Sequence, residues 1–434
     1  MGQERRNVNK ELKTQNKNFF SSDYSKSVLK VFTGSTLAFA ISFLLIPVIS
    51  RIYQPAEYGN FQVMLSILTA LSVLASLKYE TAIVLPEKQE ERNDLFLLCL
   101  ILLCSTTLIF GLIFFTAGEY ILGLLDVDVL KPYVLYMIVL FFFVGLFQIT
   151  RYNFIAQKKY GQLSVNNVVN SVIMNGGKVG LGYLNPVFSS LFWGHFAGVA
   201  IASAYSLFVV QFNMKTTTDR LKKAALKYRR FFIFEMPGVF LLSLTVKLPI
   251  FLIAKYHGTE AAGLYAMAAL IIDAPLDLIA KSVKEVFYKS AAERALKDKA
   301  ELKVFFIQNM KVLGVIGIVV TLFIIFGGEL LIDLVLGKDW NEVGWMIKIL
   351  ILAKIFHFVS NVTASALRII DSQNLYFLMM SFFFISRLTF LFLFKDHMTS
   401  MIWALAGSTI LFYLFYNTLV INRLNLFKKY DRKN

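Results

Sequence analysis

Four basic side chains stand deep inside apolar stretches of the sequence, too far from the ends of those stretches for a long side chain to reach water easily. They are Lys178, Lys247, Lys354 and Arg387. On membrane-insertion scales a charge at the centre of an apolar helix costs about 2.5–3.5 kcal/mol, so such residues usually face a cavity or an ionic partner. Cations would offset the cost of bringing an anion into a low-dielectric passage. These positions therefore favour anion binding, with a buried ion pair between helices as the alternative.

The residues near two of these cations also indicate a polar environment inside the bundle. Asn166 and Asn170 are spaced i, i+4, and Asn175 precedes Lys178 by three positions, so one helix carries a polar stripe. Such a stripe is poor lipid-facing surface and predicts a cavity lining. Lys247 stands two residues before Pro249, which frees backbone polar groups in its helix.

Two acidic residues form a second candidate site. Asp273 and Asp277 share a helix face on either side of Pro275. Paired carboxylates beside a helix break could bind H⁺ or Na⁺ and couple transport to an ion gradient. Equally, Asp277 could satisfy Lys281 one turn further on. The sequence predicts no bound cofactor or metal centre.

The elements that must position these residues are apolar runs of membrane-spanning length. The chain is 57% hydrophobic and 17% charged, with 42 Phe, which leaves too little polar surface to cover a soluble globule of 434 residues. We therefore predict an all-α polytopic membrane protein. Reading for about 20 apolar residues per span predicts twelve helices, over residues 27–50, 60–84, 94–117, 132–156, 164–183, 187–213, 232–256, 259–283, 304–327, 342–366, 374–394 and 399–421.

The distribution of Lys and Arg predicts the orientation of the chain. Of the 44 basic residues, 31 lie in the two tails and in or at the edges of the even-numbered connections, 5 lie in or at the edges of the odd-numbered connections, and 8 lie deeper within the spans. Under the positive-inside rule, both termini are expected in the cytoplasm. Because the net charge of +16 is placed at helix ends, anionic lipid headgroups account for it better than nucleic acid does.

A connection with seven basic residues divides the chain near its middle. It predicts two six-helix lobes around a central cavity. The predicted units are a cytoplasmic tail (1–26), an N-lobe (27–213), a linker (214–231), a C-lobe (232–422) and a second tail (423–434). A shift of 204 residues superposes Arg51 on Lys255 and Gly59 on Gly263, which suggests a parallel repeat. The stretches 216–230 and 288–305 are amphipathic and predict interfacial helices, with a solvated linker as the alternative.

Specific motifs occupy the first two spans and the region between the fourth and fifth. The first set comprises Arg51-Ile52-Tyr53, Pro55-x-x-Tyr58-Gly59, Leu77-Lys78-Tyr79-Glu80-x-Ala82 and Leu85-Pro86; the second is RYNFIAQKKYGQLSVNNVV at 151–169. These motifs resemble those of the bacterial polysaccharide-unit flippases, which belong to the multidrug/oligosaccharidyl-lipid/polysaccharide exporter superfamily. They cover about sixty residues, whereas the length and the twelve-helix layout extend the resemblance along the chain. Pro55 and Gly59 also have a plain structural explanation in the turn between two helices.

The resemblance implies a place in the bacterial cytoplasmic (inner) membrane, and movement of a polyprenyl-diphosphate-linked oligosaccharide unit to its outer leaflet by alternating access between the lobes. It implies lipid-linked oligosaccharide and membrane lipids as binding partners, and a polysaccharide polymerase or chain-length machinery as an associated one. The sugar and the polymer (O-antigen, capsule or exopolysaccharide) are left open.

Two other functions compete with this one. A drug or cation exporter of the same fold would be expected to have an acidic cavity, whereas basic residues outnumber acidic ones in the spans here. A membrane enzyme of glycan assembly would need a catalytic constellation, but the four His are scattered, and no GxSxG, HExxH or P-loop pattern is present. The sequence therefore does not favour an enzyme.

Overall fold

The computed structural model describes residues 23–210, 216–297, 299–363 and 373–431. Side chains are described from residue 34 to residue 423, except at 211–215, 278, 281–303, 328–331, 333 and 361–376. Every regular element among these residues is helical. The α-helices are α1 (Asp23–Leu44), α2 (Ile46–Ile52), α3 (Pro55–Ser72), α4 (Tyr79–Ala82), α5 (Gln89–Leu124), α6 (Val134–Ala156), α7 (Tyr160–Leu184), α8 (Phe188–Val209), α9 (Thr218–Lys227), α10 (Met236–Lys297), α11 (Lys299–Leu336), α12 (Val343–Thr363), α13 (Gln373–Leu393) and α14 (Met398–Asp431). Short 3₁₀ helices lie at Asp128–Tyr133 and Lys338–Trp340, and a π-helical turn lies at Phe231–Glu235.

The protein is a multi-pass membrane protein. Among the described residues, eight helical stretches are long and apolar enough to span a membrane. One of them, Phe231–Asp277, covers the predicted seventh span and most of the eighth. The two are joined at Gly258, whose φ of 84° breaks the helix where the prediction placed a connection. Helical segments also lie over the predicted second, fifth and eleventh spans, without reaching the same length and hydropathy.

The first two predicted spans differ from the continuous helices that were expected. The first is divided at Leu45, just before Pro47, into α1 and α2. The second begins at Pro55 and stops at Ser72; six residues of turn separate it from α4. Leu77 and Lys78 have positive φ of 51° and 66°, a conformation that non-glycine residues rarely adopt. The apolar composition predicted a continuous span here, but it did not predict the break between α3 and α4.

Most helix packing occurs within each half of the chain. In the N-terminal half, α7 packs against α8 and α1, and α6 packs against α5 and α8. In the C-terminal half, α12 packs against α10, α11 and α14. The main seam between the halves joins α3 to α10.

Two glycines make that seam possible. A Cβ on Gly59 would lie 1.7 Å from the carbonyl oxygen of Thr259, and a Cβ on Gly263 would lie 2.0 Å from that of Pro55. Residues 59 and 263, like 55 and 259, are related by the 204-residue shift found in the sequence. The contact is therefore reciprocal, as expected where two equivalent helices meet about a local two-fold axis, and it supports the proposed repeat.

Candidate functional site

A cavity of about 240 Å³ lies against this seam, between the N-terminal helices and the second half of α10. We call it the central cavity. Its walls are formed by Phe39, Ser42, Phe43, Ile46, Ile49, Tyr58, Phe61, Gln62, Leu65, Met174, Asn175, Lys178, Leu191, Met267, Leu270 and Ala274. No carboxylate is among these described lining residues, and Lys178 supplies the only formal charge in the wall.

Lys178 is buried in the wall of the central cavity without an anion beside it. The residue is 8% exposed. Its Nζ lies 4.6 Å from the centroid of the Phe61 ring, and it has no hydrogen-bond or ion-pair partner among the described residues. A cation–π contact only partly offsets the lost hydration of an ammonium. The group therefore retains the capacity to bind an anion that enters the cavity.

Close helix packing holds Lys178 at this position. A Cβ on Gly194 would lie 2.4 Å from the backbone nitrogen of Lys178, so α7 and α8 cross in direct backbone contact. The Tyr53 hydroxyl donates a 2.6 Å hydrogen bond to the Lys178 carbonyl oxygen from the end of α2. The cation is thus fixed by rigid elements rather than by a loop.

A histidine that the sequence pattern did not mark as a site residue also contacts the Phe61 ring. The His195 ring makes an edge-on contact with Phe61 at 5.7 Å between centroids. Its Nδ1 lies 3.2 Å from the Met174 Sδ. Neither Phe61 nor His195 was predicted as a site residue, because their proximity to Lys178 depends on how three helices cross.

The predicted asparagine stripe has mixed surroundings. Asn175 lines the central cavity and donates to the Ser42 hydroxyl at 2.9 Å. Asn166 is buried, and both polar atoms of its side chain lack a described hydrogen-bond partner. The Asn170 Oδ1 is likewise without one. Neither Asn166 nor Asn170 is in the wall of the central cavity.

Two polar residues of α7 outside the predicted stripe, Asn167 and Ser171, contact α1. The Asn167 amide donates to the Ser35 hydroxyl at 3.3 Å, and the Ser171 hydroxyl donates to the Ala38 carbonyl at 2.7 Å. Hydrogen bonds between polar side chains are a usual means of joining helices in membranes. A polar stripe of this period predicts a protected face, but it does not distinguish a cavity from a neighbouring helix.

Lys247, Lys354 and Asp273 form a cluster in the C-terminal half. The Lys354 Nζ lies 2.6 Å from the Asp273 Oδ2. Lys247 is within electrostatic range of both groups. Asp273 precedes the cavity residue Ala274, so the cluster adjoins the central cavity without lining it. Asp277, one turn along α10, has an exposed side chain.

Arg387 supplies a hydrogen bond that Pro249 removes from the backbone of α10. Pro249 has no N–H to donate to the carbonyl of Thr245, four residues earlier in α10. The Arg387 Nη1 donates to that carbonyl oxygen at 3.0 Å, and Nη2 donates to the Thr409 hydroxyl at 2.5 Å. Arg387 also stacks over Phe383 at 4.3 Å and is 6% exposed. These contacts join α10, α13 and α14, and they place the guanidinium outside the central cavity.

The motif residues of the first two spans lie at two ends of the bundle. Arg51, at the predicted outer end, donates to the Leu334 carbonyl oxygen at 2.7 Å rather than pairing with Glu57. At the other end Glu80 is 1% exposed, accepts a 2.6 Å hydrogen bond from the Ser76 hydroxyl and pairs with Lys78 at 3.2 Å. Glu80 thus stabilises the break between α3 and α4.

The predicted outer end is closed by contacts between the halves of the chain. The Trp340 Nε1 donates a 2.7 Å hydrogen bond to the Ser50 carbonyl oxygen, and its ring packs edge-on against Tyr58 at 5.7 Å. Together with Arg51 and the glycine contact, these residues form what we call the outer seal. Trp340 is 0% exposed, and nothing in the sequence pattern predicted its role. Trp193 packs against Tyr136, Phe192 and Phe196.

Comparison with protein families decides the family. A family model described as polysaccharide biosynthesis protein matches residues 48–345, which is more than half of the chain. The chain belongs to this family. Comparison with curated protein sequences found no match.

Solved structures of transporters share the fold of this family member. A lipid II flippase, MurJ, in an inward closed conformation matches with a TM-score of 0.68 and 12% identity, over 92% of this chain and 90% of that chain. A MATE family multidrug resistance transporter of the MOP superfamily, in an inward-facing conformation, matches with a TM-score of 0.62 and 10% identity, over 92% and 95%. A MOP superfamily transporter from Pyrococcus furiosus, in which reverse polarity of the binding pocket suggests a different function, matches with a TM-score of 0.54 and 13% identity, over 94% and 98%.

These likenesses show that the chain has an all-helical fold shared with these membrane transporters. Within this fold, Lys178 places a buried cation in the wall of the central cavity.

Proposed function

We propose that the protein moves a polyprenyl-diphosphate-linked oligosaccharide unit from the cytoplasmic to the outer leaflet of the bacterial cytoplasmic membrane. The observation that carries this proposal is the Lys178 ammonium, buried in the central cavity without an anion. A diphosphate supplies the missing counter-ion, and its charge-assisted hydrogen bonds would form out of contact with bulk water. The family description, polysaccharide biosynthesis, supports a sugar-bearing cargo.

The apolar part of the cavity suits the lipid part of this cargo. Phe43 on α1 and Leu270 on α10 both line the cavity, and they are 39% and 37% exposed. The cavity is therefore open, not fully enclosed, beside these two helices. A polyprenyl chain could remain in the bilayer there while its diphosphate contacts Lys178.

The volume of the central cavity and the closed outer seal indicate which state of the transport cycle the structure represents. A cavity of about 240 Å³ is below the range of about 300–1,000 Å³ that usually holds a drug-sized ligand. An oligosaccharide could enter only after the two lobes separate. Since the seal closes the predicted outer end, we infer that cargo enters from the cytoplasmic side, and that rocking of one lobe against the other then opens the outer side.

Coupling to an ion gradient is part of the proposal at Asp273 and Asp277. Because Asp273 is paired with Lys354, H⁺ or Na⁺ at this carboxylate would displace the ammonium. The freed Lys354 and its neighbour Lys247 would then be available to bind the diphosphate in addition to Lys178. This arrangement would link ion binding to cargo binding through a single carboxylate. A polysaccharide polymerase or chain-length protein would use the translocated unit.

The proposal can be tested by complementation of a bacterial strain that lacks its own repeat-unit flippase. Surface polysaccharide and membrane abundance would be measured for wild type, Lys178→Gln and Lys311→Gln. Lys311 is a matched control, because it is an exposed lysine within the α11 span and undergoes the same substitution. We expect Lys178→Gln to reduce export at least about tenfold, since hydrogen bonds to charged groups contribute about 1.5–3 kcal/mol.

The results separate three readings of the cavity. Wild-type export that is lost in Lys178→Gln and retained in Lys311→Gln, at equal abundance, supports the anionic cargo. Equal export by all three chains would refute the role of Lys178. Drug resistance conferred by the wild type without surface polysaccharide, in strains with several repeat-unit structures, would replace the proposal with an exporter of the same fold.

A further inference from the structure

We infer that α9, in the connection between the lobes, presents a binding surface for the headgroups of anionic phospholipids. The inference does not depend on the identity of the cargo. It rests on three features of this connection: how α9 is docked, which of its cations lack partners, and what lies next to those cations.

Three ionic contacts fix α9 to the N-terminal half. Arg220 lies 2.9 Å from Asp94 and 3.5 Å from Glu90, and Lys227 pairs with Glu91. The Glu91 carboxylate accepts a hydrogen bond from Lys227 and so raises the pKa of that lysine, which keeps it protonated throughout the neutral range.

The same helix is anchored by its apolar face. Ala224 and Tyr228 are buried against the N-terminal half, and the Ala225 carbonyl oxygen accepts a 3.0 Å hydrogen bond from the Tyr79 hydroxyl. Because this face and the ionic contacts hold the helix in one orientation, the opposite face is presented in a defined direction.

Four cations on α9 or directly after it take no part in docking. Lys222, Lys223, Arg229 and Arg230 are exposed, and they have no hydrogen-bond or ion-pair partner among the described residues. Asp219 is the one acidic residue of α9 itself. The acidic groups nearby (Glu90, Glu91 and Asp94) are already engaged by Arg220 and Lys227. The surface therefore retains an excess of positive charge.

Apolar side chains lie immediately beside these cations. Leu226, between them on α9, is 65% exposed. Directly after Arg230, the π-helical turn exposes Phe232, Ile233 and Phe234, where the next membrane-spanning stretch begins. Exposed apolar residues mark the level of the acyl chains, so the four cations lie at the level of the headgroups. A cluster of cations at that level is the pattern that attracts anionic lipids.

Native mass spectrometry of the full-length protein can test this surface. The probes are phosphatidylglycerol and phosphatidylcholine with identical acyl chains, added to the detergent-solubilised protein. A quadruple variant, K222Q/K223Q/R229Q/R230Q, is compared with a control variant, K88Q/R151Q/K158Q/K159Q. Both variants lose four positive charges from the same end of the bundle, and neither touches the central cavity.

We expect wild type and control to prefer phosphatidylglycerol, and the α9 variant to lose about tenfold or more of that preference. The preference should also weaken as salt is raised. Equal loss in both variants, or no loss in either, would overturn the inference; the second result would leave an acidic protein partner as the occupant. If the quadruple variant does not fold, judged by gel filtration and circular dichroism, the two adjacent pairs K222Q/K223Q and R229Q/R230Q are tested separately.

Discussion

Lys178 and Arg387 are both buried cations in apolar helices, yet their surroundings give them different tasks. Arg387 donates to a backbone carbonyl and a threonine hydroxyl, so its guanidinium completes the packing of three helices. Lys178 has an aromatic face beside it and an open cavity in front of it. Residue type and depth alone could not separate the two, because the difference lies in partners that are distant in the sequence.

The role of Arg387 can be measured by a double-mutant cycle with Pro249. Arg387→Met leaves the Thr245 carbonyl without a donor, whereas Pro249→Ala restores an N–H that can bond to it. We expect Arg387→Met to be less destabilising, by about 1–3 kcal/mol, in the Pro249→Ala background than in wild type. Chemical denaturation in detergent would measure the four free energies of unfolding. Additive effects would show that Arg387 does not serve this carbonyl.

At the residue scale, the sequence predicted where buried charge occurs but not what each charge contacts. Lys354 and Asp273 were both candidates, and they prove to be each other's partners across 81 positions of sequence. The Asn167 and Ser171 contacts with α1 show the same limit, since a polar stripe has one period whether it faces a cavity or a helix. Phe61 and Trp340 carry no charge and were not predicted at all.

At the scale of elements, close approach between helices depends on a few residues without side chains. Gly59 and Gly263 allow α3 and α10 to meet with backbone against backbone. The apolar runs predicted that helices lie here, because membrane-spanning length is a property of local composition, but α3 ends earlier than predicted. The break at Leu77 and Lys78 was not predicted; the local hydrogen bond between Ser76 and Glu80 and the long-range one from Tyr79 to Ala225 stabilise it.

Gly59→Ala should force the outer seal apart. A Cβ 1.7 Å from the Thr259 oxygen requires a separation of the helices by roughly 2 Å, because both groups belong to rigid backbone. Spin labels at Asn185 and Asp396, in a background without Cys99 and Cys104, would report the distance between the lobes at this end. We expect that distance to lengthen and its distribution to broaden.

Gly180→Ala is the matched control for this experiment, because nothing lies within 4 Å of a Cβ at that position. It should leave the label distance unchanged. A Gly59→Ala protein that is indistinguishable from the Gly180→Ala protein would show that the seam is not rigid enough to transmit the clash.

At the scale of the whole molecule, two hydrogen bonds that join the halves directly lie at the outer seal. Trp340 and Arg51 each donate to a backbone carbonyl across the boundary between the halves. Backbone carbonyls can be resolvated when the lobes part, so the seal can open without leaving a buried charge exposed to an apolar surface. This is the property that alternating access requires of a gate.

Trp340→Phe should favour the open state. The substitution keeps an aromatic ring against Tyr58 but removes the hydrogen bond to the Ser50 carbonyl, which contributes about 1 kcal/mol. A cysteine at Gln62, in the cavity wall, should then react about fivefold faster with a membrane-impermeant thiol reagent added at the sealed end. Trp403→Phe, on an exposed face of α14, is the control. Equal rates in the two proteins would argue against Trp340 as part of the gate.

The reciprocal glycine contact has a consequence for the origin of the chain. Each helix places a glycine where a carbonyl oxygen of the other helix approaches it. The seam therefore has the form of an isologous interface between two copies of one subunit. A polypeptide of half this length would carry a complete, self-complementary surface and could form a homodimer. Gene duplication and fusion would convert that homodimer into a single chain, and the two halves could then diverge: one retained an unpaired lysine beside the cavity, and the other came to hold its arginine inside a network of its own helices.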